Sequence, residues 1–202
     1  FWMQGPQLLA AFVMILLTGP TLVSPDLTNN ALSLYLSRSI SRTGYVMGKL
    51  LVLVVLCSLV TWLPALGLIL FQAWLAESGW LMANLNLLLV PILVSIFWIV
   101  TLSLVSLAVS AWVRWKVISR LVFFGLFFVC AGLGSAIDSV FGGWHGGVFK
   151  ISRVTEVVIA QFYSVENPHE LPFWAAVSTL LVLTIASAFL LSRRVRAFEV
   201  AH

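Results

Sequence analysis

Few residues in this 202-residue chain have the types and spacing that chemistry requires. Gly44, Gly48 and Lys49 superficially imitate a phosphate-binding loop, which needs four residues between its glycines and a Ser or Thr after the Lys. Here three residues separate the glycines, Leu50 follows the Lys, and no buried strand precedes them, so the chain shows no means of binding ATP itself. Ser135 follows Gly134, but a nucleophile needs a base at the same depth, and no His falls within any apolar run. Proton and sodium relays leave Asp, Glu or His inside the bilayer, and the apolar runs contain none. His145 and His169 are isolated from one another and have no ordered spacing to acidic ligands, so they do not make a metal-binding pattern. Cys57 and Cys130 lie inside apolar runs and read as small core residues. What remains is a membrane subunit that binds no cofactor of its own, driven by a partner or else structural.

Composition supports this. Hydrophobic residues make up 61% of the chain and charged residues 9%, with nine Trp and fourteen Phe, too little charge to cover a soluble domain. The net charge of +4 is accounted for by membrane topology rather than by nucleic acid. A hydrocarbon core about 30 Å thick needs about 20 apolar residues of helix. Five runs meet or approach that length: Leu8 to Ser24, Leu50 to Phe71, Leu85 to Val113, Val117 to Ala136 and Phe173 to Leu191. None alternates with period 2, so an all-α polytopic transmembrane domain is expected over 1–202, not a barrel. The only charge inside a run is Arg120, which can snorkel to the interface.

Orientation follows from the basic residues of the connections. Arg38, Arg42, Lys49, Arg114, Lys116, Arg120, Arg193, Arg194 and Arg196 share one side, against Lys150 and Arg153 on the other. Nine against two puts the segment 25–49 and the C-terminus in the cytoplasm. Phe1 then falls outside, and a sixth span upstream of it is expected.

Several connecting stretches carry their own signals. Ser24, Pro25 and Asp26 read as a helix start: a hydroxyl cap, Pro at the first position and an acid at the positive end of the dipole. Leu27, Ala31, Leu34 and Tyr35 follow at helical spacing, so a short amphipathic cytoplasmic helix is expected from about Pro25 to Ser37. Such a helix either lies on lipid headgroups, with Arg38 and Arg42 near anionic lipid, or docks a cytoplasmic partner. Gly19-Pro20 should loosen the first span, and Thr61 with Pro64 should kink the second. Ser95, Ser103, Ser106 and Ser110 form a stripe on the third, where small hydroxyl residues let helices approach closely; a substrate path is the alternative. The connection 135–172 opens with a flexible Gly-rich piece and continues into Ile151, Val154, Val158, Ile159 and Phe162, a spacing that predicts an amphipathic helix at the outer membrane surface.

Gly19-Pro20 with Ser24 and Asp26, then Asn30-Ala31-Leu32, Leu36-Ser37-Arg38-Ser39 and Ser41-Arg42-Thr43-Gly44-Tyr45-Val46-Met47-Gly48-Lys49, resemble the permease subunits of type-2 ABC transporters of the bacterial exporter kind. Ser39 stands where that family usually has Pro, and Arg193-Arg194-Val195-Arg196 with Glu199 resembles its basic ending. The likeness covers about thirty residues, and the span order agrees over the remainder. It implies a six-span permease in the bacterial inner membrane, of which the second to sixth spans are seen here. It also implies that residues Asp26, Leu27, Asn30, Ala31, Leu34, Tyr35 and Arg38 meet a cytoplasmic ABC ATPase subunit. Two such ATPases, carrying ATP and Mg, and a second permease copy would complete the unit, with Ser95, Ser103, Ser106 and Ser110 at a permease interface or along the path. The competing reading is a structural or assembly subunit of another membrane complex.

Overall fold

The computed structural model describes residues 4–29, 42–76, 79–113, 115–167 and 169–197. Among these residues every regular element is helical: α1 (Gln4–Thr28), α2 (Arg42–Ser58), α3 (Trp62–Leu75), α4 (Trp80–Ala83), α5 (Leu85–Trp112), α6 (Lys116–Phe141), a 3-10 turn (His145–Phe149), α7 (Ile151–Phe162) and α8 (Phe173–Ala197). Five stretches are long and apolar enough to cross a membrane: Gly5–Asp26, Thr43–Leu75, Leu85–Trp112, Lys116–Phe141 and Phe173–Arg194. These are the five runs expected from hydropathy, with the first, second and fourth extended at both ends.

The second span is broken into α2 and α3 at Leu59–Thr61. Pro64 has no N–H for the Val60 carbonyl one turn back, and the backbone at Thr61 leaves helical values (φ −97°, ψ −96°). The Cys57 carbonyl accepts from both the backbone N–H (3.0 Å) and the hydroxyl (2.8 Å) of Thr61. The kink expected from Thr61 and Pro64 is therefore a discontinuity in the hydrogen-bond ladder.

Helix α5 is the centre of the bundle. It is apolar all round, the pattern of a helix with neighbours on every side, and 56% of its most apolar window is buried, against 17% for α6. Helix α1 offers it one stripe, Leu8, Ala11, Ile15, Gly19 and Val23, whose steps of three and four residues keep them on one face. Side chains bridge the pairs in place of a hydrophobic drive, which lipid does not supply. Trp98 Nε1 of α5 donates to the Leu8 carbonyl of α1 (3.5 Å), and Thr101 of α5 shares a hydrogen bond with Thr184 of α8 (2.9 Å). On α6, Phe123 stacks on Phe12 of α1 at 5.4 Å while Phe127 meets it edge-on at 5.0 Å.

Two sequence expectations are corrected. Ser24-Pro25-Asp26 does not start a helix, because α1 runs through all three to Thr28, with Pro20 and Pro25 inside it. The Ser24 hydroxyl donates to the Val113 carbonyl beyond the end of α5 (3.0 Å) and contacts Ser110 Oγ (3.0 Å). Its capping capacity thus serves an orphan carbonyl of a neighbouring helix and not its own chain's next turn. The helix expected over residues 151–162 is present as α7, but Val154, Val157, Val158, Ile159 and Ala160 are buried in the protein core, packed with α8. A strongly one-sided apolar face had a protein partner available, so it does not need a lipid surface.

Helices α1 and α5 approach closely at Gly19. A Cβ placed there would overlap Ser106 Oγ and come within 3.0 Å of Ser106 Cβ. Gly19→Val is expected to destabilise the protein by about 1–3 kcal/mol, as overpacked cores do. Thermal unfolding in detergent measures this, and Ser106→Gly in the Gly19→Val background should recover part of the loss.

Candidate functional site

One end of the bundle gathers the last turns of α1, α5 and α8 with the first turns of α2 and α6. Its organising group is Asp26, near the C-terminus of α1. Both cationic and neutral donors converge on a single oxygen: Lys49 Nζ lies 2.8 Å and Tyr45 Oη 2.7 Å from Asp26 Oδ2. Lys49 also sits 5.4 Å from the centre of the Tyr45 ring, within cation–π range. Tyr45 and Lys49 lie four residues apart on α2, so one helical face presents both to α1. The Asp26 side chain is only 16% exposed.

Helices α1 and α2, which flank residues 30–41 in the chain, are therefore tied together at one corner. Asn30, Ala31, Leu34, Tyr35 and Arg38, expected at an ATPase-subunit interface, and most of the helix expected from Pro25 to Ser37 lie outside the described residues. Of Leu27 the backbone is described, in the last turn of α1. Pro25 through Thr28 thus belong to α1 and not to a separate cytoplasmic helix. Beside this corner Ser24, Pro25, Thr28, Trp115, Lys116 and Val117 line a cleft of about 340 Å³.

Two arginines stitch the same end together. Arg194 of α8 donates through Nε to the Ala111 carbonyl (3.3 Å) while its guanidinium lies 5.3 Å from the Trp112 ring centre. Arg120 of α6, expected to snorkel, instead sends Nη2 to the Leu17 carbonyl of α1 (2.7 Å). Leu17 lies next to Leu16, whose carbonyl is the one that Pro20 leaves without its ladder donor, so the Arg120 contact braces α1 beside the proline. The sequence shows the apolar run around Arg120 but not which helix it crosses to.

All four serines of the α5 stripe are buried. Ser106 and Ser110 face α1 of the same chain, Ser106 against Gly19 and Ser110 against Ser24 and the Pro20 carbonyl (3.4 Å). Ser103 and Ser106 hydroxyls have no hydrogen-bond partner among the described residues.

The opposite end is closed by the 3-10 turn and α7. Gly134 of α6 and Gly146 of the turn meet backbone to backbone, since a Cβ on either would overlap the other's carbonyl oxygen. Asp138, next to them, accepts from Lys150 Nζ (2.8 Å) and Arg153 Nη1 (3.0 Å) on the same oxygen. Both basic residues of this end are thereby neutralised in part by one acid. His169 pairs with Glu156 (2.8 Å), whereas His145 stacks on Trp144 at 4.5 Å. The Gly-rich piece expected to be flexible contains a defined turn, with Gly142 and Gly143 at positive φ before His145. Among the described residues no group of three or more His, Cys, Asp or Glu is placed to hold a metal.

Comparison with protein-family models, with curated proteins and with solved structures finds no match to this chain.

The Asp26 knot makes a direct energetic test. A double-mutant cycle of Asp26→Asn and Lys49→Met should give a coupling of about 1 kcal/mol, between the exposed-pair range and that of a charged hydrogen bond in the interior. Unfolding midpoints in detergent provide the four corners of the cycle.

Proposed function

We propose that this chain is the membrane-spanning subunit of an ATP-driven exporter. In this reading residues 25–49 receive the motion of a separate cytoplasmic ABC ATPase subunit, which carries the ATP and Mg. Two ATPases and a second permease copy complete the working unit, and the bundle end with Asp26 and Lys49 faces the cytoplasm of a bacterial cell.

The observation that carries the reading is the tie between Asp26 and the pair Tyr45 and Lys49. It anchors both ends of the intervening segment to α1 and α2, so a force applied by a soluble partner to that segment would act on two helices at once. The Arg38 to Lys49 stretch resembles the elbow of type-2 permeases, and Tyr45 and Lys49 belong to that stretch. The basic residues gathered at this end support its cytoplasmic placement.

The test is co-purification with a Walker-type ATPase expressed from the same cells, using wild type and Leu27→Asp with Leu34→Asp. Two carboxylates on the apolar face of the segment should weaken capture at least tenfold, roughly 1.4 kcal/mol. Binding retained by the double variant, at wild-type thermal stability, overturns the proposal and leaves an assembly role for the segment.

A further inference from the structure

A lateral groove of about 340 Å³ runs between α1 and α6 and ends at α7. Its length is walled by Leu9 and Phe12 of α1 and by Phe124, Phe127 and Phe128 of α6, in the middle of the Lys116–Phe141 span. Among the described residues the hydroxyl and carboxylate side chains of the lining, Ser152, Thr155 and Glu156, all belong to α7. The volume falls within the range of about 300–1,000 Å³ typical of small-molecule sites.

Three observations define what fits. The rims are exposed on the flank of the bundle, with Leu9 64%, Phe124 42% and Phe128 66% accessible, so the groove opens sideways at hydrocarbon depth. An apolar groove there excludes water, and a hydrocarbon chain is the matching occupant. Glu156 is the only charged residue of the lining, and the nearby cations Lys150 and Arg153 are engaged by Asp138. The charged end therefore favours a cation over a phosphate alone. Glu156 is half exposed and meets His169 through Oε2, and a carboxylate has acceptor capacity for a second donor.

The geometry points to a binding site for an amine-bearing phospholipid, with one acyl chain between α1 and α6 and the headgroup amine on Glu156. The site is independent of coupling to any ATPase, and its test does not need one.

The full chain is reconstituted in lipid discs containing a trace of phosphatidylethanolamine with a photoactivatable acyl chain, or phosphatidylglycerol with the same chain. After irradiation, labelled peptides are mapped by mass spectrometry. The phosphatidylethanolamine probe should label the α1 and α6 groove peptides at least threefold more than the exposed Leu68–Phe71 flank of α3. Ala131→Phe, which fills the groove, should reduce that labelling at least threefold and leave α3 unchanged. Gly5→Phe provides a second filling variant, because a Cβ at Gly5 has open space around it. Glu156→Gln should abolish the preference for phosphatidylethanolamine over phosphatidylglycerol. Labelling equal to that of α3, or unaffected by both filling variants, overturns the site, as do crosslinks to a second copy of the chain in place of lipid. A preference that survives Glu156→Gln overturns the role given to the carboxylate.

Discussion

In hydrocarbon a backbone carbonyl without a donor has no water to turn to, and helix α1 carries two prolines that each remove one donor from its ladder. Side chains of neighbouring helices that reach carbonyls close to these prolines organise the charged end of this bundle. Arg120 reaches from α6 to the Leu17 carbonyl, and Ser110 of α5 lies against the Pro20 carbonyl and the Ser24 hydroxyl. Ser24 in turn satisfies the carbonyl of Val113, where α5 has run out of donors. The contacts of Ser24 and Ser110 require α1 and α5 to come close, and Gly19 against Ser106 permits that approach. Proline, glycine and serine thus act together in α1 and α5.

The far end solves a different problem, that of returning a chain through a short connection while keeping α7 in the core. Here two glycines bring α6 and the 3-10 turn into backbone contact, and Asp138 gathers Lys150 and Arg153 beside them. With α7 buried beneath Leu171 and the start of α8, this end forms a plug of protein and not a loose loop.

The sequence reveals the spans because twenty apolar residues have one physical meaning in a chain this poor in charge. It reveals the break at Thr61 and Pro64 for a similarly local reason, the missing N–H. It misleads at Ser24-Pro25-Asp26, where a local cap pattern is outcompeted by a tertiary acceptor, and at α7, where periodicity reports a one-sided helix but not what covers the side. Arg120 was visible as a charge and invisible as a donor to Leu17, since spacing within α6 carries no information about α1. For the segment 25–49 the sequence remains the fuller source: it offers Asp26, Leu27, Asn30, Ala31, Leu34, Tyr35 and Arg38 as contact residues, of which the structure describes Asp26 and the backbone of Leu27. What the structure adds is the partner of Asp26, which sequence spacing alone does not pair with Lys49.

The interruption at Leu59–Thr61 gives the bundle unequal stiffness along its length. Helix α2 is tied to α1 through Asp26, whereas α3 beyond the break has no buried residue and is held by few contacts. From the corner at Asp26, one limb, α1 with α5, is bound by buried side chains along its length, while the far half of the second span, α3, rests on the bundle through side chains that are all at least partly exposed.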